Sequence, residues 1–96
     1  MTEKIYIVFQ EWESKHGDRD AQILIVTFDK EEAIKCLQEE RNEILASCPL
    51  SVNKIKNNNN YDIEDTSEHF YLFDFYGGWD EISIIERDIE MKNQKH

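Results

Sequence analysis

Apolar side chains are clustered along this chain in blocks whose spacing predicts an alternation of strands and one helix. Residues 4–13 (Lys-Ile-Tyr-Ile-Val-Phe-Gln-Glu-Trp-Glu) are rich in β-branched and aromatic side chains and predict a strand. Ser14 to Asp20 is polar, contains Gly17, and predicts a loop into a second, antiparallel strand over residues 22–28. Asp29 opens a helix, with Glu32 placed three residues on as in a capping box. Ile34, Leu37, Ile44, Leu45 and Cys48 follow at helical spacing, and Pro49 marks the stop. From 49 to 69 the periodicity fails, and the four consecutive asparagines Asn57 to Asn60 favour turns over ladders, so this stretch reads as a long mobile loop. Phe70 to Tyr76, the pair Gly77-Gly78, and Trp79 to about Glu90 predict a closing hairpin, because two glycines tolerate the positive φ of a tight turn. Residues 91–96 read as a frayed tail. The plan is a single α+β domain, ββαββ, with one antiparallel sheet and one helix packed on one face.

The strands are apolar on both sides. Ile5, Ile7 and Phe9 alternate with Tyr6, Val8 and Trp12, and Phe70 and Leu72 alternate with Tyr71, Phe73 and Phe75. A helix is about 10 Å wide, whereas four strands span roughly 19 Å, so one helix leaves apolar surface over. That surface is assigned to Tyr6, Val8, Trp12, Tyr71, Phe73 and Phe75, as a homodimer or partner face, unless the 49–69 loop folds across it.

Composition narrows the function classes. Eleven basic against 21 acidic side chains leave a net charge of −10, the opposite of the basic footprint that DNA, RNA and anionic membranes require. The apolar runs are too short to span a bilayer, and the start Met-Thr-Glu-Lys lacks the features of a signal peptide, so a cytoplasmic setting is expected. Cys36 and Cys48 are accordingly expected as thiols, about 18 Å apart along a helix and beyond disulfide reach.

Candidate chemistry is sparse. No phosphate-binding glycine loop is present, and His16, His69 and His96 lack the i+3 or i+4 companions of a zinc site. Asp62, Glu64, Asp65 and Glu68 invite a calcium loop, but Ser67 and Phe73 stand where its glycine and its bidentate acid belong. No cofactor and no metal are expected, and the reading is non-enzymatic. The aromatic strand at 70–76 superficially suits base stacking, yet residues 61–90 carry ten acids and a single base, Arg87, so direct nucleic-acid contact is disfavoured.

The acids themselves are patterned. Glu86, Asp88 and Glu90 alternate on one face of the last strand, at a spacing of about 6.7 Å, and Glu11 and Glu13 repeat the motif in the first. With Asp80 and Glu81 they make a candidate surface for a basic protein, a nucleic-acid-binding enzyme being one such partner. Short, acidic, compact and without a catalytic signature, the chain resembles small phage-encoded inhibitors of the DNA-mimic and anti-CRISPR type. The resemblance covers size, charge and class, and assigns no functional residue. It implies an acidic protein that docks on and blocks a basic partner. The alternative is a self-associating accessory protein of bacterial or mobile-element origin whose acidity is incidental.

Overall fold

Five strands form one antiparallel sheet in the order β2-β1-β5-β4-β3, as seen in a computed structural model that describes residues 2–75 and 77–90. The elements are β1 (Thr2–Ser14), β2 (Arg19–Thr27), α1 (Lys30–Ala46), α2 (Val52–Lys56), β3 (Tyr61–Asp65), β4 (His69–Asp74) and β5 (Gly78–Glu90). The α+β class and the antiparallel sheet match expectation. The 49–69 segment does not read as a loop: α2 and β3 lie within it, and β3 adds a fifth strand against β4. Its physical basis is visible in the burial. Ile55 on α2 is fully buried, and Tyr61 and Ile63 on β3 pack against the core. The tail 91–96 lies outside the described residues.

Asp29 caps α1 by accepting a hydrogen bond from the Glu31 backbone N–H at 3.0 Å, but the reciprocal box with Glu32 does not form, because the Asp29 N–H donates to the Thr27 hydroxyl at 3.1 Å. At the other end the Ser47 hydroxyl donates to the Ile44 carbonyl at 2.8 Å, so α1 closes before Pro49. Both helices lie on one side of the sheet. Tyr6, Val8, Ala33, Leu37, Ile55, Phe70, Leu72 and Ile82 form the core between the two layers. Leu37 is fully buried, as its place at the centre of the apolar stripe predicts. Of the partners that the stripe suggests for it, Ile5, Ile7 or Ile25, only Ile25 packs against this core, together with the Tyr6 and Val8 set.

β1 and β5 pair along their whole length, from Thr2 opposite Glu90 to Ser14 opposite Gly78. At the Gly78 end the backbone is tight. Gly78 has φ +96°, and a Cβ there would stand 1.9 Å from the Glu13 carbonyl oxygen. Towards the other end β1 and β5 run on past β2 and β4, whose pairing stops at Tyr6 and Ser83 respectively. This ribbon stretches the molecule to 59 × 27 × 17 Å and raises the radius of gyration to 16.4 Å, against about 12.5 Å for a compact chain of this length. The shortest dimension corresponds to one sheet and one helical layer.

Candidate functional site

Antiparallel neighbours directly opposite each other share a face, so the strand register sorts every side chain of the sheet into two sets. The helix side carries Tyr6, Val8, Gln10 and Trp12 from β1, Ile82 and Ile84 from β5, and Phe70 and Leu72 from β4. The opposite face carries Ile5, Ile7, Phe9, Glu11 and Glu13 from β1, Trp79, Glu81, Ser83, Ile85 and Arg87 from β5, and His69, Tyr71 and Phe73 from β4. Among the described residues no helix lies over this second face.

The expected apolar surface is therefore divided. Tyr71 and Phe73 lie on the bare face, but Tyr6 and Val8 are core residues beneath α1, and Trp12 shares their side. The reason is electrostatic: the odd positions of β1 also carry Glu3, Glu11 and Glu13, whereas the even positions from Tyr6 to Trp12 carry no charge. Burying the uncharged set avoids desolvating three carboxylates. Phe75 lies beyond the end of β4 and is 68% exposed. The 49–69 segment does not cover the bare face, because Ile55 anchors it on the helix side.

The residues that do form the bare apolar block are Ile5, Ile7 and Phe9 of β1, Ile85 of β5, and Ile23 and Val26 of β2. Ile23 and Val26 are 59% and 52% exposed. Simple alternation misplaces β2, since the register shifts between Val8 and Phe9: Val8 faces Ile25, whereas Phe9 faces Ile23. The extra residue, Leu24, puts Ile25 against the core and leaves both Ile23 and Val26 outward.

The far end of the bare face is polar and internally bonded. Glu11 and Glu81 stand directly opposite each other, a like-charge pair that each strand relieves separately. Arg19 binds Glu11 at 3.1 Å and lies 5.3 Å from the centre of the Trp79 ring. Trp79 donates its indole N–H to Glu13 at 3.0 Å. His69 lies between Glu64 (Nδ1 to oxygen, 3.0 Å) and Glu81 (Nε2 to oxygen, 2.7 Å). Burial works against its charge, but the hydrogen bonds to Glu81 and Glu64 prevail and hold its pKa above 6.5.

The acidic row on β5 has a different setting. Glu86, Asp88 and Glu90 lie on the helix side at the ribbon end, with Lys4 bridging Glu86 at 3.1 Å and Asp88 at 3.3 Å. Glu11, Glu13 and Glu81 are on the opposite face and at the opposite end, so the two rows do not form one surface. Asp80 is no surface acid either. It lines a cavity of about 180 Å³ with Ile44, Cys48 and Leu72, and burial reinforced by Glu40 raises its carboxyl pKa. What joins the Glu86 row is α1: Glu31, Glu32, Glu39 and Glu43 are exposed on the same side of the sheet. Their helical spacing on the outer surface of α1 was available in the sequence, but only the side chosen by the helix links them to β5.

Neither thiol is primed for chemistry. Burial, aided by the Glu39 carboxylate, raises the Cys36 pKa, and burial beside Asp74 and Asp80 raises that of Cys48, so both stay protonated. Among the described residues, no cluster of His, Cys, Asp or Glu is arranged to hold a metal ion, and no helix is long and apolar enough to cross a membrane. A depression of about 670 Å³ is lined by Leu50, Asn53, Lys54 and Asn57 to Asn60. No protein-family profile, no characterised protein and no solved structure matches this chain.

Proposed function

We propose that the chain is a non-enzymatic binding protein that docks its helix side on a basic protein surface and blocks it, in the manner of the small phage inhibitors it resembles in size and charge. A nucleic-acid-binding enzyme is the partner class that such a surface fits. The observation that carries this reading is that the helix side bears two acidic sets, Glu86, Asp88 and Glu90 on β5 and Glu31, Glu32, Glu39 and Glu43 on α1, with Lys30, paired to Glu68, beside Glu86. Of these seven acids only Glu86 and Asp88 have ion pairs among the described residues, both to the exposed Lys4. Such pairs are worth little in water, so the carboxylates remain free to exchange Lys4 for a partner's cations. A rigid row of this kind accelerates association and sets register.

The test reverses Glu86, Asp88 and Glu90 to lysine together and measures partner capture across a salt series. Capture should fall by orders of magnitude and, for the parent, weaken steeply as salt is added. Adding Lys4→Glu to the triple variant restores the local pairing with inverted sign, which separates a folding effect from a binding effect. Undiminished capture by both variants would refute an electrostatic contact through this row.

A further inference from the structure

We propose that the bare face of the sheet is covered by a second copy of the chain, stacked face to face with its strands antiparallel and its helices outward. The proposal is independent of the basic-partner reading, which uses the other side of the sheet.

Four observations support it. Ile5, Ile7, Phe9, Ile85, Ile23 and Val26 form a contiguous apolar block across three adjacent strands, β2-β1-β5. A contiguous patch of exposed aliphatic side chains is uncommon on a monomer. Among the described residues the intramolecular cover is accounted for, since α1 and α2 both contribute to the core on the other side. Third, the footprint is large enough. At ~4.8 Å between strands and ~3.3 Å per residue, β2, β1 and β5 give roughly 500 Å², and β4 and β3 bring this to about 650 Å², approaching the ~800 Å² per partner of a stable interface.

The fourth observation is the distribution of charge along the face. Read from the ribbon end, the rows across β1 and β5 are Glu3 with Ile89, Ile5 with Arg87, Ile7 with Ile85, Phe9 with Ser83, Glu11 with Glu81, and Glu13 with Trp79. A two-fold axis between the Ile7 and Phe9 rows lays Ile7 over Phe9 and Val26 over Ile23. It also lays the row of Arg87 over the row of Glu11 and Glu81 of the second copy. Aligned sheets cross at about 30°, which moves Arg87 by roughly one strand, over Glu11 on β1 in one sense or Tyr71 on β4 in the other. The apolar block then fills the centre, the polar network around Arg19 and Trp79 lies at the rim, and the acidic helix sides point away from each other.

Light scattering or sedimentation equilibrium of the full chain at micromolar concentration should give twice the 11.5 kDa chain mass. Association should tighten as salt is added, because two chains of net charge −10 repel, whereas capture of a basic partner should weaken. The double variant Ile23→Lys and Val26→Lys alters two exposed positions and lowers the net negative charge. It should nevertheless dissociate the dimer at least 100-fold more readily, with its circular dichroism unchanged. Arg87→Glu should weaken association about tenfold, and Glu86, Asp88 and Glu90 reversed together should leave the mass doubled. A monomeric parent, or a double variant that dimerises as tightly as the parent, would overturn the proposal. Neither outcome bears on the helix-side row, whose own test is partner capture.

Discussion

Truncating Leu37 to alanine probes the packing between the two layers. Leu37 is fully buried, and the core around it includes Val8, Ile55, Phe70 and Ile82, all at zero exposure. Deleting a buried leucine side chain costs ~2–5 kcal/mol, the larger values applying where the site cannot collapse into the space left. Strand side chains held by a five-stranded register have little freedom to move in, so a loss of about 3–4 kcal/mol is expected at this position. Stability for a chain of 96 residues is on the order of 5–14 kcal/mol. The unfolding entropy near 60 °C is roughly 200 cal/mol/K at this length, so a loss of ~3 kcal/mol should lower Tm by about 15 °C. Urea unfolding of the parent, Leu37→Ala and Ile34→Ala at one protein concentration provides the assay. Ile34 is only partly buried, and its truncation should cost ~1 kcal/mol or less. Equal losses at the two positions, or a loss at Leu37 below ~1 kcal/mol, would show that α1 does not sit on the sheet as described.

Gly78→Ala should cost at least ~2 kcal/mol in chemical denaturation, from its positive φ and the collision with the Glu13 carbonyl, whereas Gly17→Ala, with φ +85° and open space around it, should cost only ~1 kcal/mol. Melting temperature against pH should decline on both flanks for separate reasons. Hydrogen bonds from Arg41 (2.7 and 2.5 Å) depress the Asp65 pKa below 3.8, so that stabilisation is present above pH 3.8 and is lost as pH falls through the folded value. The His69 pKa is raised above 6.5, so its contribution is complete below pH 6.5 and is lost as pH rises through the folded value. Arg41→Ala should flatten the acid flank and His69→Gln the alkaline one; a variant that tracks the parent on its own flank would disprove that assignment.

How far the sequence could be read depended on the kind of signal involved. Asp29 and the Leu37 stripe act through local backbone chemistry and lie where it predicts, whereas of the two glycines only Gly78 takes a positive φ, and it does so as the first residue of β5, opposite Asp74. β3 was hidden by its neighbours: Tyr61, Ile63 and Asp65 alternate with Asp62 and Glu64 in a clean two-residue period, but four asparagines precede them and obscure a strand of five residues. Which face of the sheet is buried was a tertiary decision, since both parities of β1 are apolar near its centre. The charges at Glu3, Glu11 and Glu13 held the answer further along the strand. The Leu24 bulge left no comparable mark. A bulge is fixed by the register of the partner strand, so Ile23 and Val26 could not be placed on one face from β2 alone.

The two most extensively paired strands are also the first and last of the described strands in chain order, and this has a kinetic consequence. β1 meets β2 across a short turn, yet its other edge waits until almost the whole described chain has been made, since Thr2 pairs with Glu90. Closing so long a loop delays the reward of those contacts, and topologies of this kind fold slowly for their size. During synthesis an early β1-β2-α1 unit would therefore emerge with the β5-facing edge of β1 unsatisfied. The middle of the sheet, its most stable region once formed, would be the last part to assemble.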